Sequence, residues 1–288
     1  MRVMRSSTYE RKVFFMKKII LFLLLFLAAI GIDYEINSIS VIHLSNVNAL
    51  FLLVAILLLS LYIIPVIFLL SCYKKYFSTP IYLLSISLVF GCFIPGWMAA
   101  YGNETAKFVT DVFIQGSSSL NAWTNALTTS LTEEILKGAC GIGVIYLLRK
   151  RKLSDVFIIG TCVGLGFQIV EDISYIVNQA SESMKEIFPQ TLLRISGALS
   201  SHWAYTGLFV LGVFCLRSKN CGVSSKRKYV WVLSPIVLHF LWNSPLNEWM
   251  LGDIPVVSAL LTTVTLLLII QTVHYFLQIE KDHKAVKV

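Results

Sequence analysis

Charge is what this 288-residue chain has least of. Asp, Glu, Lys and Arg make up 14% of it, where a soluble domain carries roughly a quarter. Hydrophobic residues reach 56% and the mean hydropathy is +0.74. That balance excludes a soluble globular protein. Patterned cysteine is missing as well: none of the six cysteines falls into a CxxC or zinc-finger spacing, so they read as small buried apolar residues rather than a disulfide framework. There is no HExxH motif, no internal repeat and no low-complexity tract. No soluble domain interrupts the apolar runs, and the longest loops between them are about 15–20 residues.

What the chain does have is apolar runs of membrane-spanning length, about 20 residues each. Eight are expected, at approximately 19–33, 49–72, 81–101, 120–148, 155–177, 195–216, 229–246 and 254–277. The net charge of +8 would suit a nucleic-acid partner if it were clustered, but it is spread by topology. Of the 24 Lys and Arg residues, twenty fall on one side if the chain alternates through eight spans. These include Arg2 to Lys18 before the first run, Lys74 and Lys75, Arg149 to Lys152, Arg217 to Lys228 and the C-terminal lysines, Lys219 and Lys287 among them. Only Lys107, Lys185 and Arg194 fall on the other, and Lys137 lies within a span. This is the positive-inside pattern, and nucleic acid is excluded. The expected fold is all-α: a polytopic membrane helix bundle of about eight transmembrane helices, with both termini cytoplasmic and the lipid bilayer as its surroundings. The first run resembles the h-region of a signal peptide but lacks a small-residue cleavage site, so it is expected to stay as an anchor; Met16 offers an alternative translation start. The divisions expected are a basic cytoplasmic tail (1–18), lipid-facing N-terminal helices (19–118), a four-helix catalytic core (119–246), and a last helix with a cytoplasmic tail (247–288).

Spans four to seven carry what a bilayer tolerates poorly. Glu133, Glu134 and Lys137 lie in the fourth, Glu171 and Asp172 in the fifth, His202 in the sixth, and His239 with Asn243 in the seventh. A charged side chain at a helix centre costs roughly 2.5–3.5 kcal/mol on insertion scales, and such residues face a bundle interior or wet cavity and mark function. At 1.5 Å per residue, Glu134 lies about 22 Å from the cytoplasmic end of its helix, Glu171 about 24 Å, His202 about 21 Å and His239 about 15 Å. Four helices thus bring polar groups to one layer in the outer half of the membrane. Glu133 and Lys137, Phe167 and Glu171, and His239 and Asn243 are each spaced to share a helix face. Gly160 and Gly164 form a small-xxx-small surface for close helix approach.

In that order, Glu133-Glu134-x-x-Lys137, Gly-x-Gly-Phe167-x-x-x-Glu171, His202 with Thr206-Gly207, and His239-x-x-x-Asn243 resemble the PrsW family of intramembrane proteases, within the wider superfamily of CAAX-processing and bacteriocin-immunity-type membrane proteases. The resemblance covers roughly residues 125–245. One departure is visible: the residue after the third glutamate is commonly Asn in that family and is Asp172 here. The resemblance implies a metal-dependent endopeptidase of the bacterial plasma membrane, cutting a single-span membrane protein such as an anti-sigma factor near its extracytoplasmic side.

Peptide hydrolysis needs an activated water, an oxyanion stabiliser and a proton donor to the leaving amine. The expectation is that Glu134, beside Glu133 and helped by His202, activates water; His239 and Asn243 stabilise the oxyanion; and Glu171 orients a histidine or binds metal. The ligand types Glu171, His202 and His239 suit zinc, while a metal-free glutamate mechanism stays open. Blander readings also stand: a Glu133–Lys137 ion pair that sets helix register, histidines that only bond between helices, and His43 and His274 as structural residues. Asn103-Glu104-Thr105 reads as a chance match to a glycosylation acceptor. A non-catalytic scaffold or bacteriocin-immunity protein on the same fold is the runner-up, and a proton-coupled transporter the third reading, weakened by the missing inverted repeats.

Overall fold

The computed structural model describes residues 2–40, 45–113, 118–218 and 221–285; His43, Lys219 and Lys287 lie outside them. Among the described residues the architecture is helical, with one isolated bridge between Leu251 and Ile254 and no strand. The chain runs through α1 (Arg2–Ser40), α2 (Asn46–Leu58), α3 (Ser60–Phe77), α4 (Ile81–Phe93), α5 (Pro95–Phe113), α6 (Ser118–Leu148), α7 (Leu153–Glu182), α8 (Ile187–Gly197), α9 (His202–Arg217), α10 (Ser225–Asn243) and α11 (Val256–Ala285). Six segments are long and apolar enough to cross a membrane: Lys12–Ser40, Asn46–Phe77, Ile81–Phe113, Leu153–Glu182, Met184–Arg217 and Val256–Lys281. The other two expected spans are α6 and α10. They are less apolar because α6 carries Glu133, Glu134 and Lys137 while α10 opens on Lys226-Arg227-Lys228. Both pack on α9, and α6 also on α7.

Local sequence explains where helices break. Pro95 opens α5 and has no N–H to continue α4, so the third span turns at Ile94. The sixth span differs from the single helix expected over 195–216. It is interrupted by a 3-10 turn at Ala198–Ser200, and α9 starts at His202. The indole of Trp203 ties that break by donating to the Ala198 carbonyl at 2.9 Å. Irregular backbone at membrane depth is sustained where it borders a cavity rather than lipid, and this break does. The first span also differs, extending as one helix well past the expected 19–33. The sulfurs of Cys215 and Cys221, six residues apart in sequence, lie against each other, while Cys72, Cys92, Cys140 and Cys162 are free.

Helix α7 is the axis of the bundle, buried along most of its length and packed on α9 and α4. Lipid tails are as apolar as leucine, so helices associate through close packing and polar contacts rather than a hydrophobic drive. The α7–α9 seam shows how. A Cβ on Gly160 would stand 2.8 Å from the Thr206 carbonyl oxygen, and one on Gly164 would strike the His202 carbonyl. The two glycines therefore let α9 approach closely enough to set His202 beside α7. The outermost span is α1, whose Phe22, Leu25 and Phe26 are exposed toward lipid. The first three spans do more than face lipid, however: Tyr62 of α3 and Asn103 of α5 both reach the polar centre.

Candidate active site

At the polar centre a single ammonium group joins two helices. Lys137 Nζ lies 2.7 Å from Glu134 Oε1, 3.4 Å from Glu133 Oε2 and 2.8 Å from His202 Nδ1. It also sits 4.4 Å over the centre of the Phe167 ring. An ammonium only donates, so His202 Nδ1 accepts and its proton is on Nε2. That Nε2–H faces Glu171 Oε2 at 3.0 Å. The second imidazole is set the opposite way round. His239 Nδ1 donates to Glu134 Oε1 at 3.0 Å, which leaves Nε2 unprotonated and 3.7 Å from Glu133 Oε2. The two rings meet edge to face with centroids 4.9 Å apart. Each histidine is therefore backed by a carboxylate; His239 turns its other ring nitrogen toward Glu133 at 3.7 Å, while the His202 Nδ1 lone pair is taken by Lys137 and lies 4.0 Å from Glu133 Oε2.

The structure brings Glu133, Glu134, Glu171, His202 and His239 into one hydrogen-bonded cluster. Asn243 stands at its edge, donating through Nδ2 to Ser130 Oγ at 3.4 Å. Within the cluster the sorting departs from expectation. Glu134 is fully buried, its Oε1 committed to Lys137 and His239 and its Oε2 accepting from Thr206 Oγ1 at 3.4 Å. The carboxylate grouped with both histidines is Glu133, whose ligand atom lies within 4.8 Å of one on each imidazole. Of the two histidines Glu171 touches His202 only, on the side away from Lys137.

Three further residues join the site that sequence reasoning passed over. Arg194 of α8, counted as an outer-loop cation, places Nη2 2.5 Å from Glu171 Oε2 and Nε 2.5 Å from Asp172 Oδ1, and covers the Tyr175 ring. Tyr62 donates to Asp172 Oδ2 at 2.8 Å. Asn103, dismissed with its chance glycosylation motif, donates through Nδ2 to Glu133 Oε1 at 3.3 Å. The extra carboxylate that Asp172 introduces is thus matched by Arg194. Replacing Arg194 with Gln leaves two adjacent carboxylates uncompensated, and a stability loss of about 1–3 kcal/mol is expected. Asp172→Asn in the same chain should recover a good part of it. Thermal unfolding of the four members of that cycle in mild detergent checks this; strictly additive effects would break the proposed pairing.

These groups floor a cavity of about 1000 Å³ between α6, α7, α8, α10 and α11. Glu133, Glu171, Asp172, His202 and His239 line it; Glu134 and Lys137 lie behind the wall. Two buried side-chain oxygens on the same wall, Gln168 Oε1 and Asn125 Oδ1, have no hydrogen-bond partner among the described residues. Buried acceptors of this kind call for a donor.

A carboxylate and two imidazoles, each imidazole held by a second carboxylate, form a group able to hold a metal ion once the Lys137 ammonium leaves His202 Nδ1. Such a centre, walled by membrane helices and opening on a roomy cavity with unpaired acceptors, is that of an intramembrane protease. Comparison with protein families agrees: the model of the PrsW family intramembrane metalloproteases matches residues 79–271. The chain belongs to that family, and is a multi-pass membrane protease. No match was found among curated proteins or among solved structures.

Proposed function

We propose that the chain is an endopeptidase of the bacterial plasma membrane that cuts a single-span membrane protein near its extracytoplasmic side, as anti-sigma factors are cut, with a zinc ion held by Glu133, His202 and His239. The observation that supports this best is the grouping of one ligand atom from each of Glu133, His202 and His239 within 4.8 Å, with Glu171 and Glu134 holding the far ring nitrogens and the Lys137 ammonium on the His202 Nδ1 lone pair that a metal would take over. Zinc in that place supplies a more acidic bound water and polarises the scissile carbonyl.

The residues around it have separable tasks. Glu134 holds His239, which replaces its expected role as the water-activating base, since it is off the cavity wall and both its oxygens are engaged. Glu171 is better placed as base: its Oε2 takes the bonds from His202 and Arg194 while Oε1 has no hydrogen-bond partner among the described residues, and the residue lines the cavity. It would take the proton of the attacking water and return it to the leaving amine. Asn243, on the same wall, carries an amide donor suited to a developing oxyanion. A helical substrate exposes no backbone N–H until it unwinds, and the buried, partnerless oxygens of Gln168 and Asn125 would have to turn into the cavity to accept from the strand so formed. The depth of the cluster, about 22 Å from the cytoplasmic end of α6, supports a cut toward the outer face.

The test is membrane proteomics with terminal-peptide mapping in cells expressing wild type, Glu133→Gln or His202→Ala at matched levels. A single-span protein truncated only in the wild-type sample is expected. Identical fragment profiles from folded, inserted variants would overturn the protease assignment in favour of a scaffold or immunity role.

A further inference from the structure

We propose that the cytoplasmic end of the bundle holds a second site, for the phosphate-bearing headgroup of an anionic phospholipid. It is a cavity of about 810 Å³ where the N-terminal half of α1 meets the ends of α6, α7 and α9, independent of the catalytic centre. Its wall contains Lys12, Lys17, Arg149, Lys150, Arg151 and Arg217 and no acidic residue. Lys150 is partly occupied, 3.7 Å from Asp155 and over the Tyr82 ring. The other five have no acidic partner within salt-bridge distance among the described residues. Membrane topology requires cations on this side, but it does not require them to converge. Lys74 and Lys75 satisfy the same rule from the end of α3 without touching the cavity.

Arg149 adds a second, independent sign. It ends α6 in the left-handed region at φ +54°. The Lys150 N–H bonds the Ile145 carbonyl at 3.1 Å and the Arg149 N–H bonds the Tyr146 carbonyl at 3.3 Å. This is the Schellman arrangement, and Arg149 holds the position that glycine fills at no steric penalty. A bulky residue kept in such a conformation points to a use for its side chain, and the guanidinium borders the cavity. The remaining wall is apolar: Met16, Ile20 and Ile142 continue from the cations toward the hydrocarbon, and Tyr146 stands exposed at the rim. A free phosphate would need only the cations. The apolar wall is what an acyl chain attached to that phosphate would lie against.

Native mass spectrometry of the full chain, titrated with phosphatidylglycerol or phosphatidylcholine, reads this directly. Wild type should retain phosphatidylglycerol selectively, and Arg149→Gln/Arg217→Gln should lose about tenfold or more of that affinity. Lys74→Gln/Lys75→Gln removes the same charge from the same side and should change it little. Arg149→Gly guards against misfolding, because glycine suits the backbone there: it should fold at least as well as wild type and still bind the lipid more weakly. Equal losses in the two double variants, full retention by Arg149→Gly, or no preference over phosphatidylcholine would each overturn the site. Displacement of the lipid by millimolar inorganic phosphate would overturn the lipid as its ligand in favour of a free anion.

Discussion

Replacing Lys137 with Met is expected to lower folding stability by about 3–5 kcal/mol, the range for breaking a buried charge pair from one side. Methionine is close to lysine in volume, one atom shorter and apolar, so little of the loss would come from an empty volume. It would come from charge. Lys137 is fully buried and is the cation touching both Glu133 and Glu134, neighbours in sequence that otherwise face each other's charge with no compensation. The variant also removes the donor that holds His202 Nδ1 and the cation over Phe167. Removing both sides of the pair should be milder than removing one, so Lys137→Met/Glu134→Gln is expected to recover part of the stability while remaining poorly active, because His239 loses its ionised partner. Unfolding of the purified protein in mild detergent measures both. A Lys137→Met protein within about 1 kcal/mol of wild type would show that the carboxylates do not depend on this ammonium.

Much of this arrangement was legible in the sequence because a bilayer penalises charge so heavily that each tolerated ionisable residue becomes a signal. Glu133, Glu134, Glu171, His202 and His239 stood out for that reason, and helix periodicity correctly put Phe167 on the face of Glu171, beside His202, with ring centroids 4.9 Å apart. Gly160 and Gly164 were readable as a close-approach surface, and they meet α9 at Thr206 and His202. What could not be read was partnership across helices. Arg194 looked like one of three outer cations because sequence order says nothing of α8 folding back over α7. Tyr62 lies in the apolar first half of α3 and Asn103 opens the polar second half of α5, and only packing decides whether such a residue meets lipid, water or a carboxylate. The division of labour among the three glutamates was likewise hidden. Adjacent residues on a helix point about 100° apart, and the register that turns Glu133 to the cavity and Glu134 behind its wall is set by the contacts of α6 with α7, α9 and α10. The break before His202 was masked by an apolar run that continues through it, and Ser201, which stands at the N-cap of α9, makes no side-chain cap bond that would have marked it.

Zinc is expected to have the other large effect, on stability and activity together. Glu133, Glu134, Glu171 and Asp172 set four formal negative charges in and beside the cluster, against two positive charges from Lys137 and Arg194. With both imidazoles neutral, the deficit equals one divalent cation. The purified protein should take up one zinc per chain, lose cleavage on chelation and regain it on readdition. Zinc at a hundredfold excess over its dissociation constant should raise stability by about 2.7 kcal/mol. Glu133→Gln, His202→Ala and His239→Ala should abolish both the uptake and the cleavage. Glu134→Gln and Glu171→Gln, which only support the imidazoles in the uptake, should weaken affinity by about 10–100-fold. Lys137 supplies the sharpest contrast. Its ammonium occupies the same His202 Nδ1 lone pair that a metal would need, so zinc binding has to displace it. Lys137→Met should therefore gain more stability from zinc than wild type does, although it starts lower. If instead wild type cleaves at full rate with no bound metal, measured by elemental analysis of the active preparation, the zinc assignment falls and the glutamates and histidines must activate water alone.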